Sequence, residues 1–138
     1  MQALRVQNLS PVKKLILIVE DSQPQSYALA RTLRNAGYHA FECATLASAR
    51  DALRTKPDIC IVDVMMPDGN GVDFCKELKS DPATASIHTI LYSAVRDAVT
   101  EHLSLMTSGA QAFLSKPFEN AELLEAIQTI LGTTKFKS

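Results

Sequence analysis

Four short apolar runs in this chain end in residues able to bind a metal ion or a phosphate. Leu15–Val19 is followed by Glu20 and Asp21, Ile59–Val64 contains Asp63 near its end, Ile87–Tyr92 is followed by Ser93, and Ala112–Leu114 leads into Lys116-Pro117. A fifth run, His39–Cys43, ends in no reactive group. Three carboxylates gathered in one place repel each other and raise the pKa of at least one, unless a cation neutralises them. A hard divalent ion such as magnesium does so, taking about six oxygen ligands that usually include one or two carboxylates, waters and phosphate oxygens. Asp21 and Asp63 could supply carboxylates, with Glu20 acting directly or through water. Lys116 could neutralise phosphate as a point charge, and Ser93 could donate a hydrogen bond to a phosphoryl oxygen. An aspartate set among such groups can itself be a nucleophile that carries an acyl phosphate.

Taken singly, each residue has a plainer explanation. Glu20-Asp21 could cap a helix, and Asp63, just before Pro67-Asp68-Gly69-Asn70-Gly71, could be a turn aspartate. Ser93 could be a loop hydroxyl, Lys116 a solvated lysine and Phe113 a core aromatic. What favours a site is their joint position at the ends of apolar runs. Several runs, notably the first and third, are apolar without alternation, as in strands of a parallel sheet covered on both faces. Helical periodicity fills the gaps between them. Ala28, Leu29, Thr32, Leu33 and Ala36 share one face, ended by Gly37; Leu46, Ala49, Ala52 and Leu53 form a second stripe. Val72, Phe74, Cys75 and Leu78 form a third, interrupted by Gly71 and Asp73, and Val99, Leu103, Leu105 and Met106 a fourth. Leu123, Leu124, Ile127, Ile130 and Leu131 form the clearest, with Glu119 and Glu122 in its first turn, where carboxylates suit the helix dipole, and Gly132 at its end. All of these stripes, Met106 included, are expected in the core. Strict alternation of strand and helix predicts an open (βα)5 α/β sheet, in which ligands bind beyond the carboxyl ends of the strands.

Composition bounds the function classes. The chain has 138 residues, 14 Lys+Arg and 15 Asp+Glu, for a formal net charge of −1. That length suits one ordinary domain, and the balanced charge offers no general field for nucleic acid or an anionic membrane. Leu15–Val19 stops at two acids and is far too short to span a bilayer. Three cysteines, Cys43, Cys60 and Cys75, without a CxxC spacing, read as reduced core thiols of a cytoplasmic protein.

Four segments carry a resemblance to a known family: Val19-Glu20-Asp21; Ile61-Val62-Asp63-Val64-Met65-Met66-Pro67-Asp68-Gly69-Asn70-Gly71; Tyr92-Ser93-Ala94; and Gly109-Ala110 followed by Phe113-Leu114-Ser115-Lys116-Pro117-Phe118. In this order and spacing they resemble the receiver domain of two-component response regulators. The resemblance covers residues 14–131, leaving residues 1–13 as an N-terminal arm and 132–138 as a tail. It implies a doubly wound, CheY-like (flavodoxin-like) five-stranded parallel sheet of order 2-1-3-4-5. It also implies Asp63 as phosphoacceptor, with Glu20, Asp21, Asp63 and the Met65 backbone carbonyl as ligands of Mg2+. Ser93 and Lys116 would assist phosphotransfer, Ser93 and Phe113 would be the switch pair, and the Lys116–Pro117 peptide would be cis. The implied partners are a sensor histidine kinase or histidine phosphotransfer protein, and an effector that docks on the α4-β5-α5 face. Neither nucleic acid nor membrane is expected as a direct partner.

Some positions depart from the family pattern. His88 stands where proline is common, and Gln111-Ala112 lacks the acidic residues some members use in a charged dimer interface. Phe113 lacks the hydroxyl of a switch tyrosine. Met65 and Val95 are apolar where fast-cycling members carry groups that orient water, so slow loss of the phosphoryl group is expected. The alternatives are a phosphohydrolase of the haloacid-dehalogenase type, which also uses an aspartate nucleophile and magnesium, or a receiver-like adaptor that works without phosphate. The hydrolase needs a second acid two residues beyond the nucleophile; here that residue is Met65, which cannot transfer a proton. The chain is expected to be either a stand-alone receiver or a piece of a longer regulator.

Overall fold

Leu15–Val19 forms β1, whose last four residues are wholly buried because helices cover the strand on both faces. The computed structural model describes residues 13–94 and 98–132. Almost all of the expected arm, Val95 and the tail beyond Gly132 lie outside the described residues. The further strands of the main sheet are β2 (His39–Cys43), β3 (Ile59–Asp63), β4 (His88–Ser93) and β5 (Ala112–Ser115). All pair in parallel in the order β2-β1-β3-β4-β5, which is the 2-1-3-4-5 order implied by the resemblance. The helices are α1 (Gln23–Asn35), α2 (Leu46–Ala52), α3 (Gly71–Ser80), α4 (Ala98–Ser108) and α5 (Asn120–Leu131).

Side-chain alternation sends each strand's apolar residues to two separate cores. Ile16, Ile18, Ile59, Ile61, Ile90 and Leu114 meet α1 and α5 through Leu29, Leu33, Leu123 and Ile127. Leu17, Val19, Val62 and Leu91 meet α2 and α3 through Leu46, Ala49, Phe74 and Leu78, and α4 packs beside α3 and β5. Cys43, Cys60 and Cys75 lie buried as free thiols in this second core; burial pushes Cys60 up strongly and Cys75 up to about 12, so both stay protonated and inert.

The helix boundaries have local causes. Pro24 lies in the first turn of α1 after the N-cap Ser22, and Gly37, at φ +98, turns the chain beyond its end, a conformation that glycine adopts at little cost. Thr45 and Ser48 form a capping box at α2. Two expectations from the stripes are corrected. Leu103 and Met106 are 54% and 69% exposed, because α4 has only its neighbours α3 and β5 to cover it and its other face meets solvent. Ala28 and Ala36 are also exposed, the α1 core contact being Ser26, Leu29, Ala30 and Leu33. At strand ends, β3 stops at Asp63 rather than Val64, and β4 and β5 each run one residue further, to Ser93 and Ser115.

Candidate functional site

The carboxyl ends of β1, β3, β4 and β5 bring the sequence-flagged residues to one edge of the sheet. Glu20 and Asp21 directly follow β1, Asp63 ends β3, Ser93 ends β4 and Lys116 follows β5. The register makes this automatic: Tyr92 pairs with Asp63 across β3 and β4, and Ser93 with Ser115 across β4 and β5. Lys116 is held in place by its own N–H, which donates to the Ser93 carbonyl at 2.8 Å, and the Lys116–Pro117 peptide is cis.

Glu20, Asp21 and Asp63 each bring a carboxylate oxygen within 4.8 Å of the others, so this trio could hold a metal ion. Glu20 and Asp63 are buried and Asp21 is exposed, which leaves the trio open to solvent on the Asp21 side. A cavity of about 410 Å³ adjoins it, lined by Asp63, Met65, Ser93, Ala94 and Lys116. The Lys116 ammonium lies 3.0 Å from Asp63 Oδ2 and 3.2 Å from Glu20 Oε1. The backbone N–H of Met65 donates to Asp63 Oδ1 at 3.0 Å. Both Asp63 oxygens are thus oriented, one by a dipole and one by a charge.

The electrostatics differ between the two buried acids. Burial pushes the Glu20 carboxyl up, but hydrogen bonds from the Tyr92 hydroxyl and the Ser22 N–H, together with Lys116, more than offset this and hold it below the usual range. Burial also pushes Asp63 up; the Met65 N–H and Lys116 oppose it, the Glu20 charge adds to it, and the carboxyl ends above its ordinary value. The site thus favours the ionised form of Glu20 and disfavours that of Asp63, which a further cation would stabilise.

The loop after Asp63 is a small hairpin, with Met65–Met66 paired antiparallel to Gly69–Asn70. It leads directly into α3, whose N-cap is Asn70. The Gly71 N–H donates to the Val64 carbonyl at 2.8 Å, and a Cβ at position 71 would collide with the Asp63 carbonyl oxygen and Val62 Cγ1. Glycine there lets the start of α3 approach the backbone of the acid itself. Asp68 serves another element: its carboxylate accepts the N–H groups of Leu46 and Ala47 at 2.9 and 3.0 Å, and these bonds hold its carboxyl below the usual range. The hairpin is thereby pinned to the N-terminus of α2.

Three partners of the site were not evident from the sequence. Gln25 accepts from Lys116 at 2.8 Å, Tyr92 donates to Glu20 Oε1 at 2.6 Å, and Asp68 pins the loop. Tyr92 lies inside an apolar run and Gln25 on the polar side of a helical stripe, so neither stood out. Phe113 is half-buried against the core on the α2 and α3 side, one residue before the buried Leu114.

The family model described as response regulator receiver domain matches residues 16–128. The response regulator MprA of Mycobacterium avium is 34% identical over 121 residues, covering 87% of this chain and 52% of that protein. The chain thus spans about half the length of the curated relatives it matches. Among solved structures, the signal receiver domain of a signal transduction histidine kinase from Syntrophus aciditrophicus superposes with a TM-score of 0.79 at 31% identity, over 91% of this chain and 95% of that one. The signal receiver domain of a DNA-binding response regulator from Colwellia psychrerythraea gives 0.80 at 28% identity, over 87% and 99%.

Proposed function

Because the chain belongs to the response regulator receiver domains, we propose that Asp63 accepts a phosphoryl group from a phosphohistidine and that the new charge changes which partner the domain binds. The observation that carries this reading is the pairing of Asp63, buried and oriented at both oxygens, with the Lys116 ammonium 3.0 Å away beside a cavity large enough for a phosphoryl group. An Asp63 oxygen attacks phosphorus, the phosphorus–nitrogen bond of the donor breaks, and the imidazole leaves with the electron pair and takes up a proton. Lys116 meets the charge on the transferring phosphoryl oxygens. Ser93, at the rim of the same cavity, serves as the hydroxyl that follows the phosphoryl group, and Phe113 one strand over is the aromatic that responds.

Glu20, Asp21 and Asp63, with the Met65 backbone carbonyl, are the groups that would hold Mg2+; an all-oxygen set with one solvent-facing acid suits that ion. Held there, the ion would supply neutralisation of the negative charge gathered at the site. The domain acts on itself and turns over no separate substrate. The donor is a sensor histidine kinase or a histidine phosphotransfer protein, and the effector docks on the face made by α4, β5 and α5, where Leu103 and Met106 stand exposed. Met65, apolar at the rim of the cavity, orients no water toward the acyl phosphate, so the phosphorylated state is long-lived. We assign the receiver domain to residues 14–131 and its site of action to the cytoplasm; among the described residues no helix is long and apolar enough to cross a membrane.

Incubation with Mg2+ and a small-molecule phosphodonor, followed by intact-mass measurement, tests the reading. One phosphoryl group is expected per chain, and none in Asp63→Asn. Phosphorylation that survives in Asp63→Asn, or steady turnover of a phosphate ester, overturns it.

A further inference from the structure

We propose that Tyr92 is a positioning residue for the site: its hydroxyl sets the Glu20 carboxylate for metal binding, and its ring seats the Lys116 ammonium. This inference rests on the reading of the site as a Mg2+-dependent phosphoacceptor. Tyr92 is 1% exposed and sits one residue before Ser93, facing the α1 and α5 core rather than the cavity. From there its hydroxyl donates to Glu20 Oε1 at 2.6 Å, the shortest of the bonds that bind Glu20. The same oxygen meets Lys116 at 3.2 Å, while Oε2 accepts the Ser22 N–H at 2.8 Å. The Lys116 nitrogen in turn lies 4.6 Å from the Tyr92 ring centroid, within the range of a cation–π contact. Phe118 fixes the ring from the side, edge-on at 6.0 Å and 89°.

A single buried side chain thus touches the anion that would bind metal and the cation that would bind phosphate. The donor is the Tyr92 hydroxyl and the acceptor the Glu20 carboxylate. Partners that orient a metal-binding carboxylate typically matter by about 10–100-fold in metal affinity. A cation–π contact contributes less, about two- to fivefold. The two functions of Tyr92 are separable, because phenylalanine keeps the ring and removes only the hydroxyl.

The test titrates Mg2+ into the wild-type chain, Tyr92→Phe and Tyr92→Leu by calorimetry, then measures phosphorylation by a small-molecule phosphodonor at saturating Mg2+. Thermal melts in EDTA verify that each variant is folded, with Tyr92→Phe carrying the conclusion should Tyr92→Leu fail to fold. Tyr92→Phe is expected to bind Mg2+ about tenfold more weakly. Tyr92→Leu is expected to share the weaker binding and also to lose about two- to fivefold in the saturated rate. A residue that merely fills the core would leave Mg2+ affinity unchanged in Tyr92→Phe. Wild-type binding with unchanged or tighter binding in Tyr92→Phe overturns the assignment alone; a wild-type chain that takes up no Mg2+ overturns the assignment and the reading beneath it.

Discussion

Replacing Asp63 by asparagine is expected to stabilise the metal-free protein, because the wild-type carboxylate is held at a cost. Glu20 and Asp63 bring oxygens within 4.8 Å of each other; at that separation and an effective dielectric of about 20, their repulsion is about 3.5 kcal/mol. Asp21 is exposed and screened by water, adding about 1 kcal/mol. Against this, Lys116 at 3.0 Å attracts Asp63 by about 5.5 kcal/mol on the same basis, and the Met65 N–H contributes about 1 kcal/mol. Charge terms therefore favour the ion by only about 2 kcal/mol, while taking a carboxylate out of water costs several kcal/mol. The balance is about 1–2 kcal/mol against the ionised form, in agreement with a carboxyl held above its ordinary pKa. For a domain of this size that is a rise of about 4–8 °C in Tm for Asp63→Asn in EDTA. Saturating Mg2+ should reverse the order: at a hundredfold excess over Kd the wild type gains about 2.7 kcal/mol, whereas the variant has lost a charged ligand and gains less. The pH dependence follows from the direction of the shift. A carboxyl raised in the fold contributes stability that is present below its unfolded pKa and is lost as pH rises through the folded one, so in EDTA the advantage of Asp63→Asn should grow as pH rises through the carboxyl range. Glu20, held low, contributes with the opposite sign but is common to both proteins. Thermal melts with and without Mg2+ across pH 3 to 8 decide the matter, and a variant less stable than wild type in EDTA at pH 7, or an equal gain from Mg2+ in both, would refute the reasoning.

Two further outcomes follow from the packing. Gly71→Ala should lower stability by about 1–3 kcal/mol in urea unfolding, because the added Cβ meets the Asp63 carbonyl oxygen and Val62, neither of which is the end of a flexible side chain; an unchanged midpoint would mean that the start of α3 moves freely. Leu103→Ser and Met106→Ser, on exposed positions of α4, should each change stability by less than about 0.5 kcal/mol, whereas Leu123→Ala in the α5 core should cost about 2–5 kcal/mol, a contrast read directly from the same denaturation curves.

The strand ends were legible because the two things that define them, an apolar run and a charged stop, are local in sequence. Glu20, Asp21, Asp63, Ser93 and Lys116 each stand at such a stop in the sequence, and the parallel register of β1, β3, β4 and β5 brings them together at one sheet edge. What stayed hidden depends on contacts across the fold. Leu103 and Met106 fit a helical stripe, if a less clear one than that of Leu123 and Ile127, and the position of α4 beside α3 and β5 leaves both facing solvent. Asp68 is a plausible turn residue by type; that it caps α2, 22 residues away, is a property of tertiary placement. Tyr92 looked like one more apolar strand residue, and its hydroxyl acquired a role only when β4 came to lie across from Glu20.

The charge balance of the site turns on how Lys116 distributes its donors. An ammonium has three, and here three acceptors occupy it: Asp63 Oδ2 at 3.0 Å, Gln25 Oε1 at 2.8 Å and Glu20 Oε1 at 3.2 Å. On the reading that Asp63 takes a phosphoryl group, Lys116 can meet a phosphoryl oxygen only by giving up one of them. Glu20 is the partner most easily released. Its bond to Lys116 is the longest of the three, and its carboxylate keeps the Tyr92 hydroxyl on the same oxygen and the Ser22 N–H on the other. Gln25 holds the shortest of the three bonds and lies on α1, so its bond ties that helix to the segment after β5. On that reading Lys116 can turn to a phosphoryl oxygen within the site while its bond to Gln25 keeps α1 attached.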